Sequence, residues 1–228
     1  MAGRYALCGN QSGRVRLMKI LVALPIMRNL NGVLRRVFQM QRGEHRVDFM
    51  AYPDDEPLLA KVNKARETVL GAWYDGLMCV EDDILVPADA LVHLCEILAE
   101  GAGVAYGLNV WRKPPHKWSA CQELSENHDL SVSDVGLCET LWGNKYESVG
   151  CGMFCILIGR DALGLVPFRK MGEFPPDRPF AIDCRAHGIK QVTDGRVVCG
   201  HTDGEHTYWP APGGMRKERF DAGPVVSE

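Results

Sequence analysis

No apolar run in this sequence approaches the roughly 20 residues that a helix needs to cross a bilayer. The first seventeen residues carry Arg4, Arg14 and Arg16 but no apolar core, so they do not make a secretory signal. The nine cysteines include no Cys-x-x-Cys pair, and their odd count favours free thiols over a disulfide framework. Cys151 and Cys155, four apart in what reads as a strand, are expected roughly 13 Å apart, too far to share one metal. Positive charge is not in excess either. Lys and Arg number 26 against 29 Asp and Glu, a net charge of -3. That balance excludes a broadly basic, nucleic-acid-coating surface, though not a local basic groove. Internal repeats are absent. These absences point to a cytosolic protein with no membrane contact (in the host cytoplasm if the source is viral), and they leave the oligomeric state open.

What is present suits one well-buried α/β domain. The chain has 228 residues, 46% apolar and 24% charged. Met18-Lys19-Ile20-Leu21-Val22 reads as the start of the folded part, which makes 1–17 a weakly packed extension. Strand and helix then alternate. Strands are expected at 19–25, 46–52, 77–80 and 103–110, with helices at 30–41, 56–73 and 87–100. That rhythm implies βαβ units and a mostly parallel sheet. Residues 112–148 are polar and without a sustained period, so they read as loops with short elements. An apolar strand returns at 149–158, and a short helix follows Arg160. A helix over 179–187 is expected to end at Gly188, a left-handed cap position. Strands near 189–192 and 196–199 lead to Gly200-His201, and the chain beyond Pro210 reads as a mobile tail.

The most informative segment is Val80-Glu81-Asp82-Asp83-Ile84. Its acids follow an apolar strand and precede the helix-start Pro87, so they sit where a strand leaves the sheet. Open α/β sheets place their ligands in that crevice. If the strand geometry continues, Glu81 and Asp83 face one side while Asp82 turns away. Two converging carboxylates repel unless a cation lies between them, and hard oxygen ligands suit Mg²⁺ or Mn²⁺ shared with phosphates. The same spacing fits a solvated acidic loop.

In order along roughly residues 18–206, four pieces resemble the GT-A glycosyltransferases, in particular the family 2-like group. They are the strand Ile20-Leu21-Val22-Ala23-Leu24-Pro25 with Arg28 after it; Asn63-Lys64-Ala65-Arg66; Glu81-Asp82-Asp83, similar to the family's Asp-x-Asp motif; and Asp177-Arg178-Pro179-Phe180 with Gly188 beyond it. Glu67 stands where the family's second segment has Asn, and Pro176 where its fourth has Glu. Val149-Gly150-Cys151-Gly152 and Cys199-Gly200-His201 match in order. The resemblance implies a GT-A, Rossmann-like single domain over 18–206, its central sheet mostly parallel and flanked by helices. The nucleotide-sugar half would cover about 18–112 and the acceptor half about 113–206, with 207–228 as a tail. It implies a UDP-sugar donor bound through Mn²⁺ or Mg²⁺. Asp83 and His201 would be metal ligands and Asp177 the general base, which implies an inverting transfer. Pro25, Arg28, Asp54, Arg66, Glu81, Asp82 and Gly152 would line the donor site. Other readings stand beside these: Asp177 also suits a helix N-terminus, Arg66 an ordinary ion pair, and Asp203 or His206 could replace His201.

Trp111-Arg112-Lys113-Pro114-Pro115-His116-Lys117-Trp118 interleaves indoles with cations, so Trp111, Arg112 and Trp118 are expected at the acceptor. Indoles stack on sugars and on unpaired bases alike, while Arg and Lys hold phosphates. Similar compact enzymes are encoded by bacteriophages, some acting on hydroxymethylated bases in DNA. The overall acidity ranks a saccharide or other small hydroxyl acceptor ahead of DNA. A nucleotidyltransferase is the rival enzyme, but Pro25-Ile26-Met27-Arg28-Asn29-Leu30-Asn31-Gly32 is not the Gly-rich basic loop such enzymes carry. A catalytically inactive nucleotide-sugar-binding protein, such as a viral accessory protein, is the non-enzymatic alternative.

Overall fold

The structure is a computed structural model that describes residues 17–25, 31–52, 55–114, 116–120 and 141–221. Its first strands follow directly from sequence. β1 (Lys19–Pro25) and β3 (Gly76–Val80) are unbroken apolar runs, buried along almost their whole length. Such runs suit strands covered on both faces. β2 (Arg46–Tyr52) lies on the outer side of β1, parallel to it, and β3 lies parallel on the inner side. Between them run α1 (Asn31–Phe38) and α2 (Leu58–Gly71). Pro57, with φ -59, precedes α2, and Val62, Ala65 and Val69 form its buried stripe. At its far end the Arg160 guanidinium donates to the carbonyls of Val69 (2.6 Å) and Leu70 (2.5 Å), covering acceptors that the helix leaves open, and to that of Tyr74 (3.2 Å) just beyond it.

After β3 come the two-residue β4 (Ile84–Leu85), α3 (Ala90–Ala99) and β5 (Val104–Leu108). β6 (Lys145–Glu147), β7 (Cys155–Gly159), α4 (Arg160–Leu165), α5 (Asp177–Ala186) and β8 (Gln191–Val198) follow. The large sheet has seven strands in the order β2-β1-β3-β7-β5-β8-β6. β1, β2, β3, β5 and β8 run one way, and β7 and β6 run against them. The result is a mixed α/β fold. Among the described residues no helix is long and apolar enough to cross a membrane.

Several expected elements change. The strand expected over 149–158 begins only at Cys155, because Gly150 takes φ 150 and the segment before Cys155 turns. Cys151 therefore lies outside the strand, and its thiol donates to the Gly107 carbonyl at 3.5 Å. A Cβ on Gly107 would meet the Cys199 and Cys155 sulfurs at 2.9 and 3.2 Å, so three thiols converge there. The two short strands expected around 189–199 are one strand with a bulge, since Gly107 pairs with Asp194 but Leu108 with Val198.

The largest correction concerns the end of the chain. The expected tail over 207–228 is structured as far as Arg219. β9 (Gly200–Thr202), β10 (His206–Ala211) and β11 (Gly214–Arg219) form a second sheet with β4, in the order β11-β10-β9-β4. Pro212 and Gly213, the latter at φ 79, make the hairpin turn between the paired Ala211 and Gly214, where the sequence suggests a tail.

Two glycines test the packing. Gly195 exchanges backbone hydrogen bonds with Asn144 (2.8 Å) and Gly143 (3.1 Å), and a Cβ there would sit 1.6 Å from the Leu141 carbonyl oxygen. Gly195→Ala should lower unfolding stability by about 1–3 kcal/mol or more in urea titrations. Gly164→Ala, in α4 with nothing within 4 Å, should be neutral or raise it by about 0.5–1 kcal/mol.

Candidate functional site

β3 delivers the acids to the end of the large sheet where β1, β3 and β5 all finish. The chain moves from β1 outward to β2, then returns to place β3 on the other side of β1. Ligands of open α/β sheets gather at such a reversal. The three acids do not continue the strand. The Ile84 amide donates to the Glu81 carbonyl at 3.1 Å, closing a tight turn over them. Side-chain alternation therefore stops at Val80, and the expectation that Asp82 would point away from the site loses its basis. Asp82 and Asp83 are buried at 2% and 1% exposure, whereas Glu81 is half-buried. Glu81 also lies close enough for its charge to add to burial in pushing the Cys79 thiol up to about 12.

Asp83 is the hub. Its carbonyl accepts from the Thr202 amide at 2.9 Å, and Ile84 pairs with His201 in the second sheet. The Asp83 Oδ2 atom lies 3.0 Å from His201 Nε2 and 3.2 Å from Arg112 Nη2. The other ring nitrogen of His201, Nδ1, lies 3.0 Å from the Val110 carbonyl. A neutral imidazole has one N–H and serves only one of those two acceptors. With no cation present, Nε2–H is the donor that a buried Asp83 carboxylate requires; with Nδ1–H on the carbonyl instead, the Nε2 lone pair would be free for a metal ion. Phe154 joins the parts. Its carbonyl accepts from the Glu81 amide at 3.1 Å, and its ring centroid lies 6.5 Å from that of His201. The same ring covers Gly152, where a Cβ would meet it at 1.9 Å.

Asp177 is the first residue of α5 and half-buried. Burial raises its carboxyl above the ordinary value, opposed by the backbone amides of Arg178, Asp177 and Met153. The Arg178 amide donates to its Oδ1 at 2.8 Å. The Met153 amide places Asp177 beside the Gly152 turn.

Other expected site residues are placed as follows. Pro25 closes β1 opposite Tyr52. Arg28 and Asp54 lie outside the described residues. Arg66 is corrected: its Nε donates to the Leu163 carbonyl at 2.7 Å, which ties α2 to α4 rather than to a ligand. Trp118 is corrected too. It is 2% exposed, packs with Leu108, Val110, Leu141 and Tyr208, and donates from Nε1 to the Gly214 carbonyl at 2.7 Å. Trp111, at 40% exposure, keeps an accessible indole. Arg112 reaches Asp83, its Nη2 lying 3.2 Å from Oδ2. Asp203 is occupied in the turn after β9, where its Oδ1 accepts from the amides of Glu205 (2.9 Å) and His206 (2.7 Å). Among the described residues no group of three or more His, Cys, Asp or Glu is placed to hold a metal by itself.

No protein-family model matches the chain, and no curated protein matches it. The chain is similar to the crystal structure of A197 from STIV, a viral protein, with a TM-score of 0.63 at 12% identity. The match covers 92% of this chain and 99% of that one. At that identity the likeness concerns the fold alone.

The two tryptophans of one loop should respond oppositely. Trp118→Ala should cost about 3–5 kcal/mol of unfolding free energy, the range for emptying a buried aromatic site. Trp111→Ala should change it by less than about 0.5 kcal/mol, as surface substitutions do. Chemical denaturation of both variants checks this.

Proposed function

We propose that the protein is a metal-dependent glycosyltransferase of the GT-A, family 2-like type, moving a sugar from a UDP-sugar to an acceptor hydroxyl. The observation that carries the reading is the meeting of Asp83 with His201 across 118 residues of sequence at the ligand end of the sheet. One carboxylate oxygen and one imidazole nitrogen suit Mn²⁺ or Mg²⁺ that takes its remaining ligands from phosphates and water. An all-protein metal centre does not fit the described residues, but a cation shared with a diphosphate does. When bound, such a cation would offset the charge that builds on the departing diphosphate.

The chain's own residues supply the rest. Asp83 and His201 would hold the cation, with Val110 fixing the ring. Glu81, at the half-buried start of the turn, would contact the donor's ribose or a metal-bound water. Gly152, whose Cα face is covered by the Phe154 ring, would line the donor site through its backbone. Asp177 would take the proton from the acceptor hydroxyl. Its raised pKa makes it a stronger base than an ordinary carboxylate, and the amides around it keep it oriented. One base and one displacement give inversion at the anomeric carbon. The exposed Trp111 indole offers a stacking face to a saccharide acceptor.

Incubation with a panel of UDP-sugars and Mn²⁺ should release free UDP. Asp177→Asn should leave UDP binding intact and lower transfer by about 10²-fold or more. Unchanged transfer would reduce Asp177 to a helix-end residue, and UDP binding without release from any sugar would leave a binding protein.

The pH dependence has a definite sign. Transfer needs ionised Asp177, so its acid limb should lie above the ordinary carboxylate range. A carboxyl whose folded pKa is raised contributes stability that is full below its unfolded pKa and is lost as pH rises through the folded pKa. Asp177→Asn should therefore melt higher than the parent at about pH 7, with the difference vanishing near about pH 3.

A further inference from the structure

Arg112 stands where a cation would need to be. We infer that Arg112 is a ligand for the donor's diphosphate, resting on Asp83 until a divalent cation takes that carboxylate. The inference builds on the donor reading above and replaces the acceptor role that the sequence suggests for this residue.

A single oxygen, Asp83 Oδ2, serves both Arg112 Nη2 at 3.2 Å and His201 Nε2 at 3.0 Å. Arg112 and a divalent cation bound to that same oxygen would repel each other, so cation binding there favours release of the guanidinium. The guanidinium is the group able to leave. Its side chain is 30% exposed against 1% for Asp83, and its other hydrogen bond, from Nη1 to the Thr202 carbonyl, is long at 3.3 Å. The backbone beneath it is fixed. Trp111 donates its amide to the Lys117 carbonyl at 2.9 Å, and Val110 bridges Trp118, so only the side chain has to move.

A diphosphate is the anion that arrives with the cation, and its oxygens match the planar fork of a guanidinium. Arg112 then exchanges one anion for another. In the ligand-free state it offsets the charge of a buried carboxylate, and in the loaded state it offsets the charge of the leaving group. Cation and diphosphate must in consequence bind cooperatively, since each favours release of the Arg112–Asp83 pair.

The test needs no turnover. Mn²⁺ is titrated into the full chain and into Arg112→Ala and Arg112→Gln, with and without UDP, and free Mn²⁺ is read by electron paramagnetic resonance. Without UDP both variants should bind Mn²⁺ about tenfold tighter than the parent, within the usual range of coupling between sites. UDP should tighten Mn²⁺ binding in the parent and do so much less in the variants. Thermal melts report folding, and the Gln variant keeps a neutral hydrogen-bonding group beside Asp83 should Ala fail to fold. Unchanged or weaker Mn²⁺ binding in a folded variant, with the parent binding both Mn²⁺ and UDP, overturns the role of Arg112 alone. A parent that binds neither overturns the donor reading and this inference with it.

Discussion

The arrangement at the open end of the sheet depends on one buried carboxylate. Asp83 is 1% exposed and is held through both its backbone and its side chain. The carbonyl binds the Thr202 amide, and Oδ2 meets His201 and Arg112. Taking a carboxylate out of water costs several kcal/mol unless donors replace the lost solvation. Those donors come from distant parts of the chain, the loop after β5 and the strand β9. Burial of Asp83 is therefore inseparable from closure of the second sheet over the acid turn. Removing one partner of a fully buried pair costs about 3–5 kcal/mol. The solvent around Arg112 reduces its share, so His201 is the more important structural partner.

The rest of the fold keeps that end in place. β1 and β3 are buried on both faces and form a rigid floor. Arg160 fastens the opposite end of α2, far from the acids. Phe154 couples the turn, Gly152 and His201 through one ring and one carbonyl. Asp177 approaches from α5 through the Met153 amide. Its raised proton affinity represents an unfavourable burial that the surrounding amides only partly relieve.

Legibility in the sequence followed the range of the forces involved. Continuous apolar runs identified β1 and β3, and alternating strand and helix signals identified the α/β class, because these patterns are local. The acid segment and Asp177 were conspicuous for their position after a strand and at a helix start. Arg66 and Trp118 have residue types that suit a ligand site and a packing role equally well. Their hydrogen bonds to the Leu163 and Gly214 carbonyls exist only once α4 and the β10–β11 hairpin have packed. The hairpin carries no distinct local signal, since its Pro212-Gly213 turn and mixed charges resemble a tail. The contact of Arg112 with Asp83 had no local signal at all.

We propose that Asp83 and His201 form a cation site for a nucleotide diphosphate. Calorimetric titration of UDP, with Mn²⁺ and then with EDTA, tests it most directly. Binding with Mn²⁺ should be saturable, lost with EDTA, and lost again in Asp83→Asn at full Mn²⁺ while Asp82→Asn retains it. Equal UDP affinity with and without the metal, or undiminished binding by Asp83→Asn, would contradict it.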